Sequence, residues 1–211
     1  MTRFRFLAVT VGAALLLSAC SGAGSTAGSA TPTGSTSGSL PALASNPPGV
    51  APPAPDASLP ALTGQLFWHN YTSYETGDGQ LWQMDLATGR MAAISAGWDV
   101  ANAINPHVSA DGRHLVFMGD LNTDTKRDWD VFLSTWNGSS WGTPVDLTGP
   151  NGQRDEDPKF SPDGTRIIFK RNGAVTEMTT AGVVTRTLTS GKPEAGQPYY
   201  LPNGSDVMFE N

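Results

Sequence analysis

Asp157-Pro158-Lys159-Phe160-Ser161-Pro162-Asp163-Gly164-Thr165-Arg166-Ile167-Ile168-Phe169 reads as a strand, a tight turn and a second strand. Pro162 presets φ for a turn position, Asp163 can bond its own backbone, and Gly164 accepts the left-handed conformation that closes a three-residue hairpin loop. Ile167, Ile168 and Phe169 are strong strand formers. The unit recurs on both sides, as Asn105-Pro106-His107-Val108-Ser109-Ala110-Asp111-Gly112-Arg113-His114-Leu115-Val116-Phe117 and as Gln197-Pro198-Tyr199-Tyr200-Leu201-Pro202-Asn203-Gly204-Ser205-Asp206-Val207-Met208-Phe209. The leading prolines are spaced by 52 and then by 40 residues. The turn residues Asp111, Gly112, Asp163, Gly164, Asn203 and Gly204 are therefore read as structural punctuation, not as a site.

Between the copies the chain keeps the same rhythm. Gln65-Leu66-Phe67-Trp68-His69, Gln80 to Leu86 and Arg90 to Ile94 are strand candidates separated by the turns Gly77-Asp78-Gly79 and Ala87-Thr88-Gly89. Asp130 to Trp136 and Trp141 to Leu147 flank Asn137-Gly138, and Ala174 to Met178 and Val183 to Leu188 flank Ala181-Gly182. No stretch carries a sustained 3.6-residue apolar period with caps. Short strands at this spacing mean an all-β domain, and four strands per period of about 40–50 residues is the pattern of propeller blades.

These units resemble TolB-like β-propeller repeats, in which Pro-x-(aromatic)-Ser-Pro-Asp-Gly-(x)₂-(apolar)₂-Phe opens each blade. Asp157 to Phe169 matches almost throughout. Asn105 to Phe117 has Val108 and Ala110 as weaker positions, and Gln197 to Phe209 has Leu201 for Ser and Asn203 for Asp. Val145-Asp146-Leu147-Thr148 and Thr187-Leu188-Thr189 resemble the family's blade endings. Counting strands a to d from each hairpin gives b, c, d, then two sets of four, then a and b. That is about 13 strands, whereas the six-bladed ring implied by the resemblance has about 24. The expectation is a partial propeller, an arc of three to four blades with raw edges.

Of the 211 residues, the first 19 form a signal peptide: Arg3 and Arg5, an apolar run from Phe6 to Leu17, then small residues. The run is too short for an ordinary membrane span. Leu17-Ser18-Ala19-Cys20 resembles the bacterial lipobox, which implies lipidation of Cys20 and anchoring on the extracytoplasmic side of the cell envelope. An ordinary secretory signal with an incidental Cys is the bland reading. Residues 20–62 are a Ser/Gly/Pro-rich linker that cannot bury a core and reads as disordered. Residues 63–211 carry the blades, large enough for one domain with its own core.

Charge and cysteine count exclude several classes. Removing the signal takes two of the 13 basic residues and none of the 19 acidic ones, leaving a net charge of −8. So acidic a chain lacks the footprint for nucleic acid. The single Cys rules out an intrachain disulfide and a Cys-based zinc site.

One cluster has ligand-like spacing. Asp120, Asn122, Asp124 and Asp128 place oxygens as a calcium loop would. Thr125 stands where the sharp turn wants Gly, however, and Val131 where a bidentate Glu belongs, so a solvated inter-strand loop is the alternative. Ser161-x-Asp163-Gly164 is not a sialidase Asp-box, whose Asp and Gly are separated by one residue. The six Trp residues either pack between blades or offer a sugar-stacking surface, with Trp98 and Trp129 the expected exposed pair. His69, His107 and His114 show no metal spacing and read as structural. No catalytic residue or cofactor is identified. The leading expectation is a lipid-anchored, non-catalytic binding or scaffold module for a protein or envelope polymer. Resemblance to TolB implies protein partners, but that protein is not lipid-anchored and has a further domain before its propeller. A carbohydrate-active or hydrolase-associated propeller and a truncated fragment are the alternatives.

Overall fold

The computed structural model describes residues 62–73, 76–121, 129–149 and 151–211. The expected signal peptide, Cys20 and all of the expected linker except Leu62 lie outside them. The described residues contain no helix and 13 strands. They are β1 (Gln65–Asn70), β2 (Gln80–Asp85), β3 (Met91–Ala93), β4 (Val100–Val108), β5 (His114–Leu121), β6 (Asp130–Thr135), β7 (Val145–Asp146), β8 (Asp155–Phe160), β9 (Arg166–Arg171), β10 (Ala174–Thr179), β11 (Val184–Thr187), β12 (Gly196–Tyr200) and β13 (Val207–Glu210).

The strands form four antiparallel meanders: β1-β2-β3, β4-β5-β6-β7, β8-β9-β10-β11 and β12-β13. Three, four, four and two strands is the division expected from the hairpin spacing. Among the described residues β1 pairs only with β2, and β12 and β13 pair only with each other, so the first and last sheets are not joined. The first strands of successive sheets touch one another (β4 with β8, β8 with β12). The outermost strands β3, β7 and β11 stay close only to their own sheets. The sheets therefore fan outward from their leading strands, as blades do.

The apolar triplets explain why the sheets stack. Side chains alternate faces along a strand, so three consecutive apolar residues make a sheet that is greasy on both sides. Leu115 and Phe117 pack toward the first sheet, with Leu81 and Phe132. Val116 faces the other way and meets Val131, Phe160, Ile167, Phe169 and Met178 of the second and third sheets. Ile168 faces Val175, Ala195, Tyr200 and Val207, toward the fourth. Each fully buried Ile or Phe contributes about 1.5–3 kcal/mol. In the last sheet the same motif meets different surroundings: Val207 packs back on the third sheet, while Met208, on the other face, is 58% exposed.

The hairpin turns repeat atom by atom. Ser161 N–H donates to Arg166 O (2.9 Å), and Gly164 N–H donates to Ser161 O (2.9 Å). The return bond comes from Arg166 N–H to the Ser161 hydroxyl (3.0 Å), because the Ser161 carbonyl is already taken. Ser161 Oγ–H in turn donates to Asp163 Oδ1 (2.6 Å), which also accepts Thr165 N–H. The loop is thus four residues, 162–165, not the expected three, since the side chain stands in for a backbone acceptor. Ser109 and Asp111 reproduce this arrangement. Leu201 has no hydroxyl, and Asn203 Oδ1 takes over by accepting from Ser205 and Asp206 N–H, both 3.0 Å. Gly112, Gly164 and Gly204 all have φ near 70° (72°, 71° and 69°), the left-handed region.

Two further strand expectations shift. Of Trp141 to Leu147 only Val145–Asp146 is strand. Asn137 Oδ1 folds the preceding turn by accepting Ser139 and Ser140 N–H, and Pro144, lacking a donor, sits between Trp141's single bridge to Trp136 and β7. The leading strand of the second sheet starts at Val100, five residues before the repeated motif.

The stacking makes equivalent positions of the repeat energetically unequal. Ile168→Ala should cost about 3 kcal/mol, as large-to-small changes in a closed core do, whereas Met208→Ala should stay within about 0.5 kcal/mol. Urea midpoints of the two variants check this; equal losses would mean that Met208 is covered in solution.

Candidate functional site

The residue before each leading proline leaves the sheet ladder. Asn105, Asp157 and Gln197 have φ of 53°, 57° and 45°, and the register of each leading strand shifts there. These are β-bulges at equivalent positions. Asn and Asp tolerate the left-handed region; Gln does so at greater cost. A proline follows each time, so no ladder donor is lost at that next position.

The bulges bring the three side chains together at the converging edge of the fan. Asn105 Nδ2 donates to Asp157 Oδ1 at 2.7 Å, and Gln197 Nε2 donates to the same oxygen at 3.1 Å. Asp157 thereby ties the second, third and fourth sheets. The first sheet joins through His69, whose Nδ1 accepts Asn105 N–H at 3.2 Å. One residue per sheet thus forms a continuous polar belt across the inner strands.

The residue after each proline points into the same region: His107, Lys159 and Tyr199. His107 Nδ1 accepts Phe160 N–H at 3.1 Å, bridging the second and third sheets. An acceptor nitrogen requires the neutral ring, and burial, reinforced by the Lys159 charge, pushes His107 down to about 3. Burial and the Lys159 charge also lower His69. Lys159 is buried, 6% exposed. Desolvation pushes its ammonium down to about 8 against the opposing pull of Asp157. Its Nζ donates to Pro158 O at 3.3 Å and lies 5.1 Å from the centre of the Tyr199 ring. Burial, with the nearby Asp157 and Glu210 charges, raises the Tyr199 phenol.

Elsewhere the buried charges are paired. Arg171 grips Asp155 with two 2.7 Å hydrogen bonds. Lys170 reaches Glu156 at 2.8 Å. Burial would raise the Glu177 carboxyl, but donors from Arg186, Tyr200 and Thr185 outweigh it and hold the group at about 2; Arg166 adds a further contact at 3.0 Å. The ion pairs lie within the third sheet, and Tyr200 Oη, donating to Glu177 Oε2 at 2.6 Å, ties the fourth sheet to it.

Of the residues singled out in the sequence, Asp111, Asp163 and Asn203 lie in the exposed turns with their side chains engaged locally. Asp120 is a buried residue near the end of β5, while Asn122, Asp124 and Asp128 lie outside the described residues. No group of three or more potential metal-ligating side chains occurs among the described residues. The expected exposed Trp pair is not one: Trp129 is buried with Ile104 and Met118, and half-buried Trp98 stacks on Phe117 at 5.4 Å. Both side chains lie against β4 or β5, because covering the sheet removes a large aromatic area from water. Trp141 packs edge-on against Phe67 at 5.9 Å and donates to Gln83 Oε1 at 2.9 Å, bridging the first two sheets. The belt itself was missed. Its signal was the polar residue ahead of every leading proline and the changing residue behind it.

The neutral His107 acceptor gives the protein an acid-sensitive seam. Its folded pKa lies below the ordinary 6.5, so its contribution is complete above pH 6.5 and is lost as the pH falls from 6.5 toward about 3. The slope is about 1.4 kcal/mol per pH unit. Glu177 loses its contribution only below its ordinary 4.5, so the interval from pH 6.5 to 5 isolates the imidazoles. His107→Gln, a neutral acceptor, should flatten stability across that interval in urea titrations, leaving only the smaller His69 slope; an unchanged slope would remove His107 from the seam.

No protein-family model matches the chain, and no curated protein matches it in sequence. Solved structures do. TolB from Acinetobacter baumannii superposes with a TM-score of 0.53 at 19% identity, over 69% of this chain and 34% of that one. A putative TolB from Agrobacterium tumefaciens gives 0.55 at 17% identity, over 69% and 49%. A calcium-binding protein, regucalcin, also from Agrobacterium tumefaciens, gives 0.50 at 18% identity, over 69% and 49%. The chain spans about a third to a half of the length of these structures. At this identity the likeness establishes the fold: an all-β arrangement of TolB-like propeller blades.

Proposed function

We propose that this chain is a non-catalytic binding module, held at the extracytoplasmic face of a bacterial membrane through lipidated Cys20, and that it engages a protein partner at the converging edge of its blades. The observation that carries this reading is the belt. Turn and core positions repeat from blade to blade. The position after each leading proline does not: it is His107, Lys159 and Tyr199 in turn. Sheets that needed only to stack would be served by the same residue each time. Different polar chemistries side by side on a rigid scaffold suit recognition. The histidine Nδ1 atoms are engaged with backbone N–H groups and the carboxylate of Asp157 with two amides, which suits holding a surface in shape. The lipobox-like Leu17-Ser18-Ala19-Cys20 and the small-residue tether behind it support placement on the membrane surface.

Two measurements test the reading. Cys20→Ser should move the full chain from the membrane to the soluble fraction and remove the lipid mass from its amino terminus; membrane retention at parental level would sink the anchor. Site-specific crosslinking from position 199 in envelope extracts should yield a discrete, saturable adduct that Tyr199→Ser, tested by competition, displaces at least tenfold less well than the parent. Equal competition would refute recognition at this edge.

A further inference from the structure

Lys159 stands apart from the other buried or half-buried cations. Lys170, Arg166 and Arg171 each have a carboxylate within 3.0 Å. Among the described residues none lies within 4.0 Å of Lys159 Nζ. An ammonium carries three donors, and the protein meets this one with a single carbonyl, Pro158 O, at 3.3 Å. The Tyr199 ring covers it from 5.1 Å, and Tyr199 is 39% exposed. So the cation lies against one partly exposed side chain at the edge of the fourth sheet. Packing alone does not call for it, since a Met of similar length would fill the slot without desolvating a charge.

Resting on the reading above, we propose that Lys159 receives a glutamate carboxylate from the protein partner, which passes Tyr199 to reach it. A carboxylate supplies the acceptors that the ammonium lacks, in a desolvated site where a charge-assisted bond is strong. Glutamate carries its carboxylate on two methylenes and can reach a group that is itself only 6% exposed. A uronic acid bears its carboxylate directly on a bulky sugar ring, without the two methylenes that let glutamate reach inward. The surroundings set the sign. Asp157 on β8 is committed to Asn105 and Gln197. His69 on β1 and His107 on β4 are neutral above pH 6.5, and Tyr199 on β12, with Glu210 beside it on β13, stays a neutral phenol. With Lys159 near 8 in the free protein, a peptide carboxylate, ionised above about 4.3, meets a charged ammonium at pH 7 and an increasingly neutral amine above pH 8.

Calorimetry of acetyl-hexaglutamate amide with the full chain in 0.15 M salt tests this, with oligogalacturonate as the second arm. Lys159→Met should weaken peptide binding at pH 7 at least tenfold. Parental affinity should fall above pH 8 while that of Lys159→Met stays flat. Peptide should also protect Lys159 of the parent from an amine-reactive label read by mass spectrometry, an experiment that needs no folded variant. Absence of protection, equal affinity of parent and Lys159→Met, or preference for the oligogalacturonate would each overturn the proposal. If Tyr199→Ser impairs partner competition while Lys159→Met does not and hexaglutamate gives no heat, recognition at the blade edge stands and the glutamate assignment falls.

Discussion

Everything in this molecule depends on sheets that are apolar on both faces. A sheet carrying Leu115-Val116-Phe117 or Ile167-Ile168-Phe169 cannot keep one side in water. It must be sandwiched, and the right-handed twist of each sheet lets the next stack only with an offset. The offset stack is the fan. The leading strands meet at its narrow side and the last strands spread at its wide side. The narrow side is where a small number of residues from several sheets come within bonding distance, so packing far from the belt decides what the belt can contain.

The narrow side poses a second problem. Backbone and side chains crowd there, and polar groups lose water. The bulge before each proline is the local solution. It turns Asn105, Asp157 and Gln197 out of the ladder and into contact, so that one carboxylate satisfies two amides. Histidines at positions 69 and 107 complete the accounting by accepting backbone N–H groups at the inner strands. These are neutral acceptors in a buried seam, and that makes the seam tolerant of base and intolerant of acid. Lys159 does not fit this pattern of mutual satisfaction. In a net acidic chain it is a buried positive charge that feels Asp157 but has no carboxylate within 4.0 Å among the described residues.

The proposed membrane anchor and the blades would make separate physical demands. Acyl chains on Cys20 would fix the protein to a surface regardless of what the blades do. The raw sides of the first and last sheets differ in character. Trp68 stacks on Trp82 on the first sheet, at 6.2 Å, whereas Met208 stands exposed on the last. Neither side is hydrogen-bonded to the other among the described residues.

Much of the architecture was legible in the residues. Pro-Asp-Gly and its variants place the turns, because only a few residue types take those dihedrals. Consecutive Ile, Val and Phe place the strands, and their spacing divides them three, four, four and two. These are short-range rules, in which each residue's preference is expressed within a few neighbours. What sequence could not give was any contact made across sheets. Asn105, Asp157 and Gln197 are 52 and 40 residues apart, and each looks like an unremarkable residue before a proline. Trp129 looked exposed because its neighbours in sequence are polar, yet its neighbours in space are Ile104 and Met118. Ile168 and Met208 occupy one position of one motif, and only the stack buries the first and leaves the second in water. Sequence determined the blades because local dihedral and strand preferences suffice for them. Tertiary structure alone decided the belt, because it forms where separate sheets converge.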